Sequence, residues 1–231
     1  MRDDNVQILI CRISTARGAF EHWLELLSEP EKRRYEGLQR AAARERFLTG
    51  RALLRLLLHS KYGIEPKAAI ISADELGKPH LADFPHLHIN LSHSHDLAVV
   101  CTGPAPIGVD VEYRQRHNDI SMIARGYFSM AEQRDIQALG PDQARTRFFQ
   151  YWTLKEAFAK ASGLGLSRTL SHTHITRVQD GAALQLPPDT APDQQVHFWH
   201  FPLFEQPDFA DYQLGVVLLE QREAQATRPL G

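Results

Sequence analysis

The chain has 231 residues, 43% of them apolar, enough to build a real core in one large domain or two compact halves. Its formal charge of -2 creates no overall field that would draw it onto nucleic acid or an anionic membrane, so any polyanion site has to be local. Cys11 and Cys101 stand singly in apolar runs without CxxC spacing, which argues against a zinc ribbon or a disulfide framework and fits a reducing cytosol.

Residues 6 to 13 read as a strand, and Tyr35 to Ser60 as one long helix with an apolar stripe through Leu38, Ala41, Phe47, Leu54 and Leu58, stopping before Gly63. AAIIS, LHINLS and LAVVCT read as three strands, the last two joined across the polar HSHD turn. Gly103, Pro104 and Pro106 interrupt the chain before the strand IGVDVE. A second round follows, with helices at about 130 to 139 and 143 to 162 and then strand-like HTHITRV, VHFWHF and YQLGVVLLE. Asp180 to Gln195 reads as an exposed loop. The repeated order of elements suggests an internal duplication of about a hundred residues per half. The expected fold class is α+β, as two pseudo-symmetric α/β halves of similar fold with the active site in the cleft between them. Residues 1–106 and 107–220 are the expected halves, and 221–231 a frayed tail. No apolar run approaches the length of a membrane span and the N-terminus lacks a signal peptide's pattern, so no membrane association and a cytoplasmic location are expected.

In IGVDVE, Asp110 and Glu112 alternate with Val109 and Val111, which points both carboxylates to one face of the strand. The bland alternative is a charged face on an edge strand. A position inside the sheet favours a hard cation, because it removes the repulsion between the two carboxylates. In WTLKEAFAK, Glu156 and Lys160 lie four apart on a helix whose apolar stripe runs through Tyr151, Leu154, Phe158 and Ala161, with Trp152 on the other side and Lys155 at the border. Alone, that pair reads as an ordinary surface i, i+4 contact. Three carboxylates and a lysine together suit a magnesium-bound phosphate ester. Eight basic residues lie between Lys32 and Arg55 against two acidic ones, and some of them could hold a distant phosphate. Histidines cluster at 86 to 95, but no cysteine is near them, and Ser92 and His93 suit phosphate contacts better than a zinc site. Ser129 and Glu132 have the spacing of a capping box, which explains Glu132 without chemistry.

GKP at 77 to 79, NLSHS at 90 to 94, IGVDVE, FSMAE and WTLKEAFAKASGLGLS together resemble the 4'-phosphopantetheinyl transferases of the surfactin-synthetase-activating (Sfp) type, in their W/KEA branch. The resemblance implies coenzyme A as donor, Mg2+ as cofactor and a serine of an apo acyl, aryl or peptidyl carrier protein as acceptor. It implies Asp110, Glu112 and Glu156 as magnesium ligands, Glu156 also as general base, directly or through a metal-bound water, Lys160 on a pyrophosphate oxygen and Lys155 in support. It places Lys32, Ser92 and His93 at the 3'-phosphate with Arg46 beside them, and Lys78 and Pro79 along the adenine. One position departs from the pattern. The family's second basic position after Lys32 is occupied by Tyr35, which leaves Arg33, Arg34 or Arg46 to supply that charge. The first half would then be the coenzyme side and the second the magnesium side, with a monomer expected because one chain builds the whole cleft. Acidic carriers would find a docking edge in Arg114, Arg116 and Arg125. The rivals are a magnesium-dependent nucleic-acid phosphodiesterase and a non-catalytic carrier- or nucleotide-binding module.

Overall fold

The computed structural model describes residues 5–115, 119–170, 173–178, 181–185, 194–202 and 207–221. Its first half holds strand β1 (Gln7–Arg12), short helices α1 (Ile13–Ala16) and α2 (Phe20–Leu26), helices α3 (Glu29–Gly37) and α4 (Ala41–Tyr62), the hairpin β2 (Ile71–Ala73) and β3 (Pro79–Leu81), and strands β4 (His88–Ser94) and β5 (Leu97–Gly103). The second holds β6 (Ile107–Tyr113), α5 (Ile120–Tyr127), α6 (Met130–Gln137), α7 (Pro141–Ser162), α8 (Leu166–Thr169), the hairpin β7 (His174–Val178) and β8 (Gly181–Gln185), and strands β9 (Gln194–Pro202) and β10 (Tyr212–Gln221).

The duplication is visible in the topology. The first sheet runs β1-β5-β4 and the second β6-β10-β9, so in each half the opening strand pairs with the last, and the last with the one before it. Each half also carries one 22-residue helix, and both helices end on a glycine in the left-handed region, Gly63 at φ 66 and Gly163 at φ 68.

Strand β5 is buried along its whole length. Ala98 and Val100 pack with Leu54 and Leu58 of α4, while Leu97, Val99 and Cys101 meet Val109 and Val111 of β6 and Leu214 and Val216 of β10. On the far side of β10, Val217 and Leu219 pack against Ala157, Phe158 and Ala161 of α7. The layers are therefore helix, sheet, sheet, helix. Alternation along β6 sends Val109 and Val111 into the shared core and leaves Gly108 and Asp110 facing α7.

Three expectations are corrected here. The single helix from Tyr35 to Ser60 is two helices, broken at Leu38 to Arg40. Arg44 donates from Nε to the Leu38 carbonyl at 2.6 Å and from Nη2 to the Glu36 carbonyl at 3.2 Å, satisfying acceptors that the break leaves open. Part of the expected loop from Asp180 to Gln195 is strand, because Gly181–Gln185 pairs antiparallel with β7 and Gln194 begins β9. Trp152 is not on a polar face. It stacks on Phe148 with ring centroids 6.0 Å apart and packs in the aromatic cluster beside Phe128. Arg116 and residues 222–231 lie outside the described residues.

Candidate active site

Helix α7 can lie close on the second sheet because glycines face it. A Cβ on Gly108 would collide with the Ala157 carbonyl, and one on Gly215 would come within 2.8 Å of the Thr153 carbonyl carbon. This approach brings the end of α7 over β6. Lys160 Nζ donates to Asp110 Oδ1 at 2.7 Å, to the Val109 carbonyl at 3.0 Å and to Ser92 Oγ at 3.1 Å. Ser92 Oγ donates to the same Asp110 Oδ1 at 2.9 Å, and Ser94 Oγ to Glu112 Oε2 at 2.7 Å.

Asp110 is only 3% exposed, and its Oδ2 is buried without a hydrogen-bond partner among the described residues. Burial pushes the Asp110 carboxyl up to about 6, against the pull of Lys160 and with Glu112 adding to the rise. Burial also works against the Lys160 ammonium, but Asp110, Glu156 and Glu112 outweigh it and raise its pKa. A buried carboxylate oxygen left without a donor, beside a second carboxylate, is a donor set that suits a hard divalent cation. Glu156 lies half-buried on the same helix as Lys160, near enough to act on its charge. Among the described residues no three His, Cys, Asp or Glu side chains converge on one point, so Asp110, Glu112 and Glu156 do not form a ready-made cage.

Lys160 lines a cleft of about 650 Å³ between the halves. Arg34, Arg46, Phe47 and Arg51 line it from α3 and α4, Lys78 and Pro79 from the β2–β3 hairpin, His93 from β4, and Gly163, Gly165 and Leu166 from beyond α7. Arg34 and Arg51 sit against the Phe47 ring, at 5.4 and 5.7 Å from its centroid. Burial lowers the Arg51 pKa, with Glu31 opposing, and Arg51 Nη1 is buried without a partner among the described residues. An anion in the cleft would satisfy that group. Lys78 crosses to the other half and donates to the Ala161 carbonyl near the end of α7.

Of the residues singled out in the sequence, Arg34, Arg46, Lys78, Pro79, His93 and Lys160 line this cleft. Lys32 does not; it pairs with Glu29 at 2.9 Å on the outside of α3. Ser92 turns away from the cleft toward β6, because the alternation that exposes His93 buries its neighbours. Lys155, expected to support the pyrophosphate site, is corrected most clearly. Its amine is fully buried, pairs with Glu132 at 2.9 Å, and donates to the carbonyls of Tyr127, Leu170 and Thr173 at 3.1, 3.0 and 2.6 Å. It fastens four segments of the second half together and does not reach the cleft. The Ser129–Glu132 capping box is present, and Glu132 does more than cap, since it also accepts from the Ile175 N–H at 2.8 Å. In the sequence Phe47 reads only as part of an apolar stripe, and Arg51 only as one of the eight basic residues between Lys32 and Arg55. Their signal was helical spacing, because Ala43, Arg46, Phe47, Gly50 and Arg51 recur at the i, i+3, i+4 interval of one face.

The model of the 4'-phosphopantetheinyl transferase N-terminal region matches residues 14–105, and that of the 4'-phosphopantetheinyl transferase superfamily matches residues 106–217. A 4'-phosphopantetheinyl transferase of Bacillus subtilis is 36% identical over 143 residues, 62% of this chain and 63% of the relative. The 4'-phosphopantetheinyl transferase Sfp of Bacillus subtilis (strain 168) is 33% identical over 177 residues, 74% of this chain and 76% of the relative. This chain belongs to the 4'-phosphopantetheinyl transferases. The 4'-phosphopantetheinyl transferase psf-1 of Bacillus pumilus is 34% identical over 168 residues, 68% of this chain and 71% of the relative. The boundary between the two family matches falls at the Pro104–Pro106 connection of this transferase, between β5 and β6. No described helix is long and apolar enough to cross a membrane.

Proposed function

We propose that this protein transfers the 4'-phosphopantetheine arm of coenzyme A to a serine of an apo acyl, aryl or peptidyl carrier protein, releasing 3',5'-ADP. The observation that carries the reading is that Lys160, which lines the arginine-rich cleft, also holds Asp110, so that an anion grip and a charge-balancing centre adjoin. Residues 1–106 are the coenzyme side, gripping the 3'-phosphate and adenine through Arg34, Arg46, Arg51, Lys78 and His93. Residues 107–220 are the magnesium and catalytic side.

Asp110 and Glu112 would hold Mg2+, with Glu156 joining them. When bound there, the ion supplies charge neutralisation along the coenzyme's pyrophosphate and at the leaving 3',5'-ADP. Lys160 stabilises the same developing negative charge from the α7 side, its pKa held up by the surrounding carboxylates. Glu156 takes the proton from the carrier serine as its oxygen forms the new bond to phosphorus and the bond to the leaving ADP oxygen breaks. General-base assistance of this kind contributes roughly 10²- to 10⁴-fold, with positioning and electrostatics supplying the rest. Of the expected docking edge of Arg114, Arg116 and Arg125 for acidic carriers, the exposed Arg125 is kept, because the Arg114 guanidinium is held by Thr146 and the Ala210 carbonyl and Arg116 lies outside the described residues. The protein acts as a monomer in the cytoplasm, which accords with the free thiols of Cys11 and Cys101 and with a cleft built from one chain.

Glu156→Gln tests the division of labour. Calorimetry should find coenzyme A binding nearly intact while turnover collapses, and near-normal turnover would remove the base role.

A further inference from the structure

The seam between the two halves is sewn by side chains of β4. Asn90 Oδ1 accepts from the Val109 N–H at 3.1 Å, Ser92 Oγ from the Val111 N–H at 3.3 Å and Ser94 Oγ from the Tyr113 N–H at 3.0 Å. The spacing of 19 residues is constant, so the two strands run in one parallel register without a backbone ladder between them. The serines do a second thing that Asn90 does not. Each hydroxyl also donates to the carboxylate one residue before the N–H it accepts from, Ser92 to Asp110 at 2.9 Å and Ser94 to Glu112 at 2.7 Å. A hydroxyl can accept and donate at once, and alanine can do neither.

We infer that Ser92 and Ser94 are positioning residues for the metal site, contributed by the opposite half, which fix the rotamers of Asp110 and Glu112 so that both carboxylates can present an oxygen to a divalent cation. This rests on the reading of Asp110 and Glu112 as metal ligands. His93, between the two serines, faces the coenzyme cleft by the alternation of the strand. One strand therefore both lines the coenzyme cleft, through Asn90, Leu91 and His93, and orients the metal carboxylates, through Ser92 and Ser94. Groups that orient metal ligands are worth roughly 10- to 100-fold in metal affinity.

The test is a titration of Mn2+ followed by electron paramagnetic resonance, with coenzyme A saturating, below the melting temperature of each variant. Wild type is compared with Asp110→Asn, Ser92→Ala, Ser94→Ala, Ser94→Thr and Val100→Ala. The expected result is lost binding in Asp110→Asn, a fall of about tenfold or more in each serine-to-alanine variant, and recovery in Ser94→Thr, which keeps the hydroxyl. Val100→Ala loosens the packing against α4 without touching a carboxylate or the cleft, so it should lower the melting temperature and leave Mn2+ affinity unchanged. Wild-type affinity in both folded serine-to-alanine variants, with Asp110→Asn still defective, would overturn the positioning role alone. Unaltered affinity in Asp110→Asn would overturn the metal reading and this inference with it.

Discussion

Lys160 Nζ sits 2.7 Å from Asp110 Oδ1, across the contact between α7 and β6, and Gly108 two residues earlier on the strand is what lets the helix come that near. The pairing gives the buried carboxylate one cation and leaves its second oxygen open.

Gly108→Ala is expected to push α7 off the sheet, because its methyl group would meet the backbone of Ala157, which cannot rotate aside. Overpacking of this kind costs about 1–3 kcal/mol. Denaturant unfolding should show that loss, and turnover should fall further than stability accounts for, since Lys160 and Asp110 move apart.

Lys155 and Glu132 are both fully buried, so breaking their pair strands a charge away from water. Lys155→Met and Glu132→Gln should each destabilise by about 3–5 kcal/mol, and the double variant by less than their sum. A double-mutant cycle in urea checks this. Thermal shifts confined to the noise in the single variants would contradict the fastening role.

The carboxyl of Asp110 is held up near about 6 by burial, so protons compete with a divalent cation for it below that pH. Metal affinity is expected to be flat at neutral pH and to fall by up to about tenfold per unit on the acid side. Mn2+ titrations between pH 5 and 8 read this directly.

His200 titrates in the opposite sense. Burial lowers it from 6.5 to about 4, its bond with Gln213 opposing, so the unfolded chain binds the proton more readily between those values. Stability should be full above pH 6.5 and decline as pH falls toward 4. The loss is at most roughly 3 kcal/mol, and His200→Gln should flatten that limb of the pH–stability curve.

The duplicated plan was legible because it is written in local signals: alternation in IGVDVE and LAVVCT, helical stripes, and glycines after both long helices. The pairing of Asp110 and Glu112 on one face was legible for the same reason, two residues apart on one strand. What escaped depended on partners distant in sequence. Lys155 looked like a neighbour of Glu156 and Lys160, yet Glu132 and three backbone carbonyls claim it. Ser92 looked like a phosphate contact because His93 beside it is well placed for one, but strand alternation separates them. The break after Gly37 was hidden by an apolar stripe that continues through it, and Arg44 holds the break from the next helix.

Intact mass spectrometry of an apo carrier protein incubated with coenzyme A, Mg2+ and this protein, beside its Asp110→Ala variant, bears most directly on the proposed transfer. A gain of one phosphopantetheine arm with the wild type and none with the variant is expected. No gain with apo carriers from fatty-acid, polyketide and peptide synthesis, from a folded wild-type protein, would contradict it.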